Sequence, residues 1–441
     1  MVEIQIPEKV NKIIHTLQEH GYEAYAVGGC VRDSFLGREP MDWDITTSAM
    51  PEETKALFPH TFDTGIEHGT ITVLLDHEGF EVTTYRVDGK YEDSRHPKEV
   101  IFVRNLKEDL LRRDFTINAM AYNEKEGLVD IFGGMDDLKA GIIRCVGNAQ
   151  ARFSEDALRI LRGIRFAAQL GFELEDETRE GMRLLAPTLR KISAERIQVE
   201  LVKTLTSSRP DLLREAWKLG ITKEFLPEFD LAMETTQETV HHMYTVGEHI
   251  LHTLLEVRPD RILRLTMLLH DIGKPYMKTM DTDGVAHFKG HPEKSSELAN
   301  EILHRLKFDN DTIRKVTKLV RYHDHRMPVT PAHVRRAIHE IGEDLFPLYL
   351  EVRRADVSAQ SMYQREEKVA DIDGVEKLYH EIMERNECVS LKMLAVTGKD
   401  LIAAGMKPGK EIGQMLEHFL DLVLEHPELN QKEELLKRIE L

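Results

Sequence analysis

Hydrophobic positions in the first third of the chain change their spacing several times, as in a mixture of helices and strands. The segment "PEKVNKIIHTLQEHG" repeats apolar residues at helical spacing and ends at a glycine. A strand pattern follows in "EAYAVGG", a helix in "CVRDSFLG", and further strands in "DWDITT", "TITVLL" and "FEVTTYRV". Residues 1–145 are therefore predicted to form a mixed α/β domain.

From about residue 150 onward the hydrophobic spacing is helical throughout. A chain of 441 residues is too long for one ordinary core, so that two to four domains are expected. Helical patterns over 146–232, a histidine-rich helical region over 238–365 and a last helical region over 366–441 predict three further domains. In the last region, the glycines and proline of "GMKPG" separate two helices.

One predicted helix, "RFSEDALRILRGIRFAAQLGF", has a charged side and an apolar side. Residues three and four apart are neighbours on a helix, so that Glu155 can contact Arg159 and Asp156 lies beside both. Arg162 and Arg165 extend the same surface. Such a face is commonly a solvated row of ion pairs above an apolar seam. Whether it is instead a binding face depends on the motifs that precede it.

The distribution of charge limits how this chain could bind nucleic acid. A net charge of −18 argues against a general electrostatic attraction to phosphates. Residues 150–220 are the exception, with 13 Lys and Arg against 11 Asp and Glu. A nucleic-acid partner would therefore have to meet a local basic surface, and the two-sided helix lies within this region.

The remaining composition favours a cytoplasmic protein without a membrane partner. No apolar run is long enough to span a bilayer, and "MVEIQIPEKVNKII" lacks the pattern of a signal peptide. Cys30, Cys145 and Cys388 lie far apart and suggest no disulfide framework, which fits a reducing compartment. The oligomeric state is left open.

A glycine pair between a strand and a helix is a candidate phosphate site. Gly28 and Gly29 would let the backbone approach phosphate closely, and the following helix N-terminus offers free N–H groups to an anion. Arg32 could add a bidentate contact. A tight turn would need glycine in any case, so that the pair alone does not decide between these interpretations.

Two aspartates a dozen residues later add a candidate metal site. Residues i and i+2 of a strand project from the same face, which would place Asp42 and Asp44 side by side. Adjacent carboxylates repel each other unless a cation lies between them, and Mg²⁺ prefers carboxylate and phosphate oxygens. Two such ions could activate a hydroxyl and stabilise leaving pyrophosphate. A pair of exposed loop aspartates is the alternative.

Together these motifs resemble the family of class II tRNA nucleotidyltransferases and bacterial poly(A) polymerases. The resemblance implies an α+β fold, with a polymerase β-like nucleotidyltransferase head, which contains a mixed sheet, followed by all-α domains. Five motifs over about 200 residues carry it in the family's order: "VGGCVRDSFLG…DWDI", "RVDGKYEDSRHP", "RRDFTINAMAYN", "LVDIFGGMDDLKAGIIRCVGNAQARFSEDALRILRGIRFAAQLGF" and "SAERIQVEL".

Within this resemblance, the two-sided helix carries the family's protein template, Glu-Asp-x-x-Arg. Cytosine and adenine both present an amino donor beside a ring-nitrogen acceptor, so that Asp156 would accept from the amino group and Arg159 would donate to the nitrogen. Guanine and uracil reverse this order and would leave buried groups unpaired. Glu155 would hold Arg159. The resemblance assigns further nucleotide contacts or supporting roles to Arg113, Asp114, Asn118, Arg162 and Arg165.

The activity implied is addition of CCA, from CTP and ATP, to the 3′ end of tRNA. Addition of A alone and poly(A) synthesis stay open, because all these enzymes share the template motif. The loop "VDGKYEDSRHP", with Asp88, Gly89, Asp93, Arg95 and Pro97, disfavours addition of CC alone. The last residues are not strongly basic, which favours tRNA over poly(A) synthesis. Glu81 is a candidate third metal carboxylate or an ordinary strand-edge glutamate.

A second set of motifs, in the histidine-rich region, resembles the HD superfamily of metal-dependent phosphohydrolases. The resemblance implies metal ligation by His242, by the doublet His270 and Asp271, and by Asp356. A histidine and aspartate set suits a divalent transition metal better than Mg²⁺. The surplus histidines could complete a second metal position, or could simply cap and fill helices: His249, His291, His323 and His325.

Two functions of other classes remain as rivals. One is an HD-type metal-dependent phosphohydrolase whose head only binds a nucleotide, which the intact "DWD" pair disfavours. The other is an RNA-binding module without catalytic activity, which the full set of motifs disfavours. The last helical region is equally compatible with a tRNA-contacting tail, which would recognise shape rather than sequence, and with an ordinary helical hairpin.

Overall fold

A computed structural model describes residues 3–88 and 100–439. Its strands are short, as strands of mixed folds commonly are. They are β1 Ala24–Val27, β2 Ile45–Thr47, β3 Thr61–Gly65, β4 Thr70–Leu75, β5 Glu78–Thr84, β6 Arg86–Asp88, β7 Val100–Phe102, β8 Met120–Asn123, β9 Gly127–Asp130, β10 Ile142–Ile143, β11 Glu173–Leu174, β12 Thr279–Met280 and β13 Ala286–His287.

Helices make up most of the remaining chain, and from residue 149 onward they dominate. They are α1 Glu8–Glu19, α2 Gly29–Phe35, α3 Pro51–Leu57, α4 Leu106–Leu111, α5 Gly134–Ala140, α6 Ala149–Glu155, α7 Leu158–Leu170, α8 Asp176–Leu185, α9 Ala194–Leu205, α10 Leu213–Lys218, α11 Pro227–Glu234, α12 Val246–Leu255, α13 Arg261–Leu269, α14 Lys274–Met277, α15 His291–Arg305, α16 Asn310–Tyr322, α17 Pro331–Ile341, α18 Phe346–Ser358, α19 Arg365–Glu384, α20 Gly398–Ala403, α21 Lys410–Glu425 and α22 Lys432–Leu436.

The chain divides into two compact units, Met1–Pro227 and Glu228–Leu441. The first holds the sheet and the helices up to α10, and the second is helical apart from one small strand pair. The predicted α+β class, with helical domains after a mixed head, is confirmed. The finer division into domains at 145, 232 and 365 stays a prediction.

A seven-stranded sheet organises the first unit, in the order β3-β4-β5-β2-β1-β8-β9. β2 and β5 run parallel and the other neighbours run antiparallel, so that the sheet is mixed as predicted. Ala26 of β1 pairs with Ile45 of β2. The residues that follow β1 and those that precede β2 therefore lie at the same end of the sheet, which brings the glycine pair and the two aspartates together.

The prediction of a single helix over Arg152–Phe172 is wrong, because the helical conformation is interrupted between α6 and α7. Asp156 adopts an extended conformation, with φ −139° and ψ 104°. Its carboxylate oxygen Oδ1 accepts from the backbone N–H of Leu158 at 3.0 Å, which satisfies a donor at the start of α7. A short polar side chain that competes for backbone hydrogen bonds thus ends one helix and begins the next.

The second unit is built around buried helices that carry its histidines. α13 packs against α16 and α18, α12 packs against α13 and α18, and α15 packs against α16. Two apolar cores continue toward the C-terminus, one around Phe346 and Ile338 and one around Phe419 and Leu401. Within the described residues, each helix is too short or too polar to cross a lipid bilayer.

Candidate active site and candidate metal centre

The glycine turn after β1 is shaped to admit another group near its backbone. Gly28 has φ 82°, a left-handed conformation that side chains rarely tolerate. A Cβ atom there would lie 3.1 Å from Nη1 of Arg113, and one at Gly29 would lie 3.6 Å from Nη2 of Arg32. The absence of both side chains thus leaves two guanidinium groups bordering the turn, which suits an anionic ligand.

A continuous hydrogen-bonded chain links this turn to α7, in the predicted helical domain over residues 146–232, called the neck below. Buried Arg32 donates to both oxygens of Asp33, at 2.9 and 3.0 Å, and to Oδ1 of Asn118 at 2.5 Å. Asn118 in turn donates to Oδ1 of Asp114 at 3.2 Å, and Oδ2 of Asp114 accepts from Nε of Arg162 at 2.7 Å. Predicted site residues from three separate motifs therefore form one network.

Asp114 stays ionised at the centre of this network although it is buried. Burial alone would raise its pKa, but the ion pair with Arg162 outweighs burial and lowers the pKa to about 2. The neighbouring Arg113 donates to Asp109, which is fully buried, at 3.3 Å. Asp109 thereby holds Arg113 beside Gly28, and other N–H groups of Arg113 stay available to a ligand.

Asp42 and Asp44 stand directly before β2 rather than inside it, and both side chains are exposed to solvent. The pKa of Asp44 is raised, mainly because nearby protein atoms exclude water from its carboxylate. The charge of Arg113 lowers this pKa, and the charge of Asp42 raises it further. A divalent cation would relieve the repulsion between the two carboxylates, so that the pair fits a Mg²⁺ site. Glu81 precedes Val82, the partner of Ile45, and so lies level with Asp44 on the neighbouring strand.

The predicted base-reading residues lie around the break between α6 and α7. Arg159 donates to Oε2 of Glu155 at 2.7 Å and to the backbone oxygen of Arg112 at 2.8 Å. Oδ2 of Asp156 accepts from Nη2 of Arg196, on α9, at 2.8 Å. The predicted support of Arg159 by Glu155 is present in the structure, whereas Arg196 was not among the residues predicted from the sequence.

Three predicted arginines converge on the ring of Phe166. The guanidinium carbons of Arg32, Arg162 and Arg165 lie 5.1, 5.2 and 4.3 Å from its centroid, within the range of cation–π attraction. Arg165 also lies 3.1 Å from Glu200, yet burial lowers the pKa of Arg165 to about 10. Arg165 is thus mainly held inside the neck, while Arg32 and Arg162 border the network described above.

The predicted loop Arg86–Pro97 falls mostly outside the described residues. Arg86–Asp88 form β6, which pairs with β7. Gly89, Asp93, Arg95 and Pro97 lie beyond the part of the chain that the structure describes, so the prediction based on this loop stays a prediction.

Two groups of potential metal ligands share one aspartate in the second unit. The first consists of His249, His270, Asp271 and Asp356, and the second adds His291 and His323 to Asp271. In each group, the ligand atoms lie within 4.8 Å of one another. Nε2 of His249 and of His270 lie 3.5 and 3.4 Å from Oδ2 of Asp271, while Nε2 of His291 and of His323 lie 3.3 and 3.4 Å from Oδ1.

The four imidazoles are oriented alike, with Nδ1 directed at a backbone carbonyl oxygen and Nε2 directed at Asp271. The Nδ1 partners are Ala359, Met267, Phe288 and Val320, at 3.4, 2.7, 2.9 and 2.6 Å. A hydrogen bond of this kind fixes the tautomer in which Nε2 is free to bind a metal. The arrangement is that of a ligand set rather than of histidines filling a core.

Both oxygens of Asp271 are buried among the four imidazoles and Lys274. Burial would raise the pKa of Asp271, but Lys274, 2.7 Å from Oδ2, together with His270 keeps it well below its usual range. The pKa of Asp356 is likewise held well below its usual range despite burial, chiefly by His249, whose Nε2 lies 2.9 Å from Oδ1. Two buried carboxylates beside four imidazoles fit one or more divalent transition metals.

The structure does not bring His242 or His325 into either group. His242 precedes α12, its ring contacts that of His249 edge-on at 5.1 Å, and its Nε2 lies 3.5 Å from Nζ of Lys274. His249 takes the place predicted for His242, because α12 begins after Thr245 and buries the face that carries His249. The helical spacing of Val246, His249 and Thr253 was the signal that could have identified it.

Three family models match this chain. The model of the Poly A polymerase head domain matches residues 24–144, that of the "probable RNA and SrmB-binding site of polymerase A" matches residues 171–233, and that of the "tRNA nucleotidyltransferase domain 2 putative" matches residues 286–439. These matches include the predicted head residues from Gly28 to Asn118, whereas the predicted base-reading residues, Glu155 to Arg165, lie between the first match and the second. The doublet of His270 and Asp271 lies outside them.

Proteins of similar length match most of this chain. A CCA-adding enzyme of Levilactobacillus brevis is 36% identical over 93% of this chain and 91% of its own length. One of Streptococcus mutans is 35% identical over 96% and 94%. The chain also resembles the crystal structure of a Bacillus stearothermophilus CCA-adding enzyme in complex with CTP, with a TM-score of 0.70 and 29% identity over 96% of this chain and 94% of that one.

Proposed function

The chain belongs to the family of CCA-adding enzymes and is a nucleotidyltransferase of tRNA processing, and we propose that it completes the 3′ end of tRNA by adding CCA from CTP and ATP. One observation carries this proposal: Arg32, Asn118, Asp114 and Arg162, from three separate motifs, form one hydrogen-bonded network. The network joins the phosphate-accepting turn to the helix that carries the base readers.

The head supplies the groups for transfer. Asp42 and Asp44 would hold Mg²⁺, which would activate the tRNA 3′-hydroxyl and stabilise the leaving pyrophosphate. The turn at Gly28, with Arg32 and Arg113 beside it, would bind and orient the triphosphate. Attack on the α-phosphate then forms the new phosphodiester and releases pyrophosphate.

The neck would select the base. Asp156 would accept from the exocyclic amino group of cytosine or adenine, while Arg159 keeps unused donors for the ring nitrogen. Uracil and guanine present an acceptor where Asp156 also accepts, which leaves both unpaired. We place the reaction in the cytoplasm, which agrees with three buried cysteines that form no disulfide.

Variants of the two sites separate transfer from selection. Asp42→Ala should abolish addition, because one carboxylate is a poor Mg²⁺ site, whereas Arg159→Ala should relax base choice more than it slows transfer. Addition of radiolabelled CTP, ATP, UTP and GTP to a tRNA transcript measures both. Full activity of Asp42→Ala, or unchanged selectivity of Arg159→Ala, would contradict the assignment.

The extent of addition distinguishes the remaining alternatives. We would supply Mg²⁺, CTP and ATP with tRNA transcripts that end before CCA, after C and after CC. Addition that completes CCA on all three and then stops is the expected result. Extension only of the transcript that ends in CC would make this an A-adding enzyme. Long A tails would make it a poly(A) polymerase, and no extension would overturn the proposal.

A second activity, metal-dependent phosphoester hydrolysis, is favoured by the ligand set around Asp271. Its six members are buried or nearly so, and the four Nε2 atoms lie 3.3 to 3.5 Å from the oxygens of the shared carboxylate of Asp271. A divalent transition metal bound there would supply a hydroxide near neutral pH. Lys274 and His242 border the same cavity and could bind a phosphate.

Metal content tests this second activity without relying on catalysis. The full-length protein, dialysed against Ni²⁺ or Mn²⁺, should retain metal that Asp271→Ala loses. Phosphatase and 2′,3′-cyclic phosphodiesterase activity should depend on that metal, while CCA addition in Mg²⁺ persists in the variant. Equal metal retention by wild type and Asp271→Ala would exclude this centre.

A further inference from the structure

We infer that Arg196 is a positioning residue for base selection, an inference that rests on the proposed function because it concerns how Asp156 reads the base. Arg196 is the third residue of α9, a helix distinct from the two that flank Asp156. The first link is direct, since Nη2 of Arg196 donates to Oδ2 of Asp156 at 2.8 Å.

The two oxygens of Asp156 are fixed from different directions. Oδ1 accepts from the N–H of Leu158, in α7, at 3.0 Å, and Oδ2 accepts from Arg196, in α9. A terminal carboxylate otherwise rotates easily about its last torsion. The backbone alone could hold one oxygen, so that the orientation of the carboxylate plane depends on Arg196.

The guanidinium of Arg196 has no second acceptor among the described residues. Its Nη1 is buried without a hydrogen-bond partner, although the side chain is 26% exposed overall. An arginine that served mainly to connect helices would be expected to donate hydrogen bonds through both Nη1 and Nη2 of its guanidinium group. This one makes a single charged contact, and that contact is with the base reader.

The base readers are thus each held by an opposite charge. Glu155 holds Arg159 at 2.7 Å, and Arg196 holds Asp156 at 2.8 Å. The contact with Arg196 does not block reading, because a carboxylate oxygen has two lone pairs and can accept from Arg196 and from a base amino group together. Asp156 can therefore bind Arg196 and a base amino group at the same time.

The consequence for selectivity follows from what Asp156 would do without Arg196. Without Arg196, only the N–H of Leu158 would hold the carboxylate of Asp156, so that its plane would turn more readily. A carboxylate that turned away from the base would no longer oppose the O4 of uracil or the O6 of guanine with an acceptor. Arg196 would thus keep Asp156 directed at the base, and so exclude UTP and GTP.

The test compares Arg196→Gln and Arg196→Lys with Arg179→Gln in the full-length protein. Arg179 is a matched control, because it also spans two neck helices through ion pairs, with Asp176 at 3.2 Å and Glu215 at 2.9 Å. We would measure kcat and KM for CTP and UTP on a transcript that ends before CCA, and for ATP and GTP on one that ends after CC.

Arg196→Gln should lower the preference for CTP over UTP, and for ATP over GTP, by about tenfold or more, the size of one lost charged contact. Arg196→Lys should recover part of it, and Arg179→Gln should keep the preference of the wild type. The double variant with Asp156→Asn and Arg196→Gln should have the same base preference as Asp156→Asn alone, because Arg196 acts through Asp156.

The outcomes separate this inference from the function on which it rests. If Arg196→Gln discriminates as the wild type does while Asp156→Asn does not, the inference is overturned and the proposed base reading stands. If Asp156→Asn also discriminates normally, the proposed base reading fails together with the inference. A loss of preference in Arg179→Gln as large as in Arg196→Gln would show a merely structural role.

Discussion

Asp114 is the residue on which the first site depends most strongly. It is buried, it accepts from Asn118 and from the backbone of Phe115, and it pairs with Arg162 at 2.7 Å. Removing one partner of a buried pair leaves the other charge uncompensated, which costs more than the pair itself contributes. The network therefore links folding of the neck to the geometry of the nucleotide site.

Asp114→Asn should lower the free energy of unfolding by about 3 kcal/mol near neutral pH. The folded pKa of Asp114, about 2, is below its ordinary value of 3.8. Its ionisation therefore contributes about 2 kcal/mol that is complete above about pH 4 and lost as pH falls toward 2. Urea denaturation at a series of pH values should show that the difference in stability between wild type and variant narrows as pH falls from about 4 toward 2.

Asp176→Asn is the control for this prediction, because Asp176 is a 96% exposed partner of Arg179 in a surface ion pair. It should change stability by less than about 0.5 kcal/mol at any of these pH values. A gap between wild type and Asp114→Asn that stays constant from neutral to acid pH would contradict the depressed pKa.

At the level of elements, the hydrophobic pattern predicted β1, β2, β4 and β5 of the sheet, the helix that ends near Gly21 and the helical character of the tail, but not β3, β8 and β9. It missed the break at Asp156, because Glu155 and Arg159 are spaced alike in one helix or across two. The HD resemblance assigned the first ligand to His242 and left His249 among the surplus histidines, since the start of α12 depends on the cap at Thr245. Arg196 could not be found, because its contact joins distant segments of the chain.

The close approach of α14 and α15 brings Asp271, a potential metal ligand, near His291. Gly273 permits this approach because it has no side chain. A Cβ atom at Gly273 would lie 2.5 Å from the backbone nitrogen of Ser295, which cannot move without shifting α15. Gly273→Ala should therefore destabilise the protein by about 1–3 kcal/mol. It should also weaken binding of Ni²⁺ at least tenfold, because His291 begins α15. Thermal denaturation and equilibrium dialysis measure the two effects.

Gly413→Ala, in α21, is the matched substitution, because an added methyl group there meets no described atom within 4 Å. Helix propensity alone should then raise stability by about 0.5–1 kcal/mol, with Ni²⁺ binding unchanged. Normal metal binding in Gly273→Ala would show that the approach of the two helices is not needed for the ligand set.

For the whole molecule, the division into Met1–Pro227 and Glu228–Leu441 separates two kinds of ligand. The predicted nucleotide residues all lie in the first unit and the histidine cluster lies in the second. A ligand stabilises only what it binds, by about 2.7 kcal/mol at one hundred times its dissociation constant. We therefore predict that calorimetry of the intact chain shows two transitions, which respond to different ligands.

CTP with Mg²⁺ should raise the transition of the first unit by about 5–10 °C, and Ni²⁺ should raise that of the second by a similar amount. Asp42→Ala should cancel the first shift and Asp271→Ala the second, which assigns each transition to its unit. If calorimetry instead showed a single transition whose temperature either ligand raised, the two units would unfold as one cooperative structure. In that case occupancy of the histidine cluster would be coupled energetically to nucleotide binding, and substitutions at Asp271 should alter the affinity for CTP.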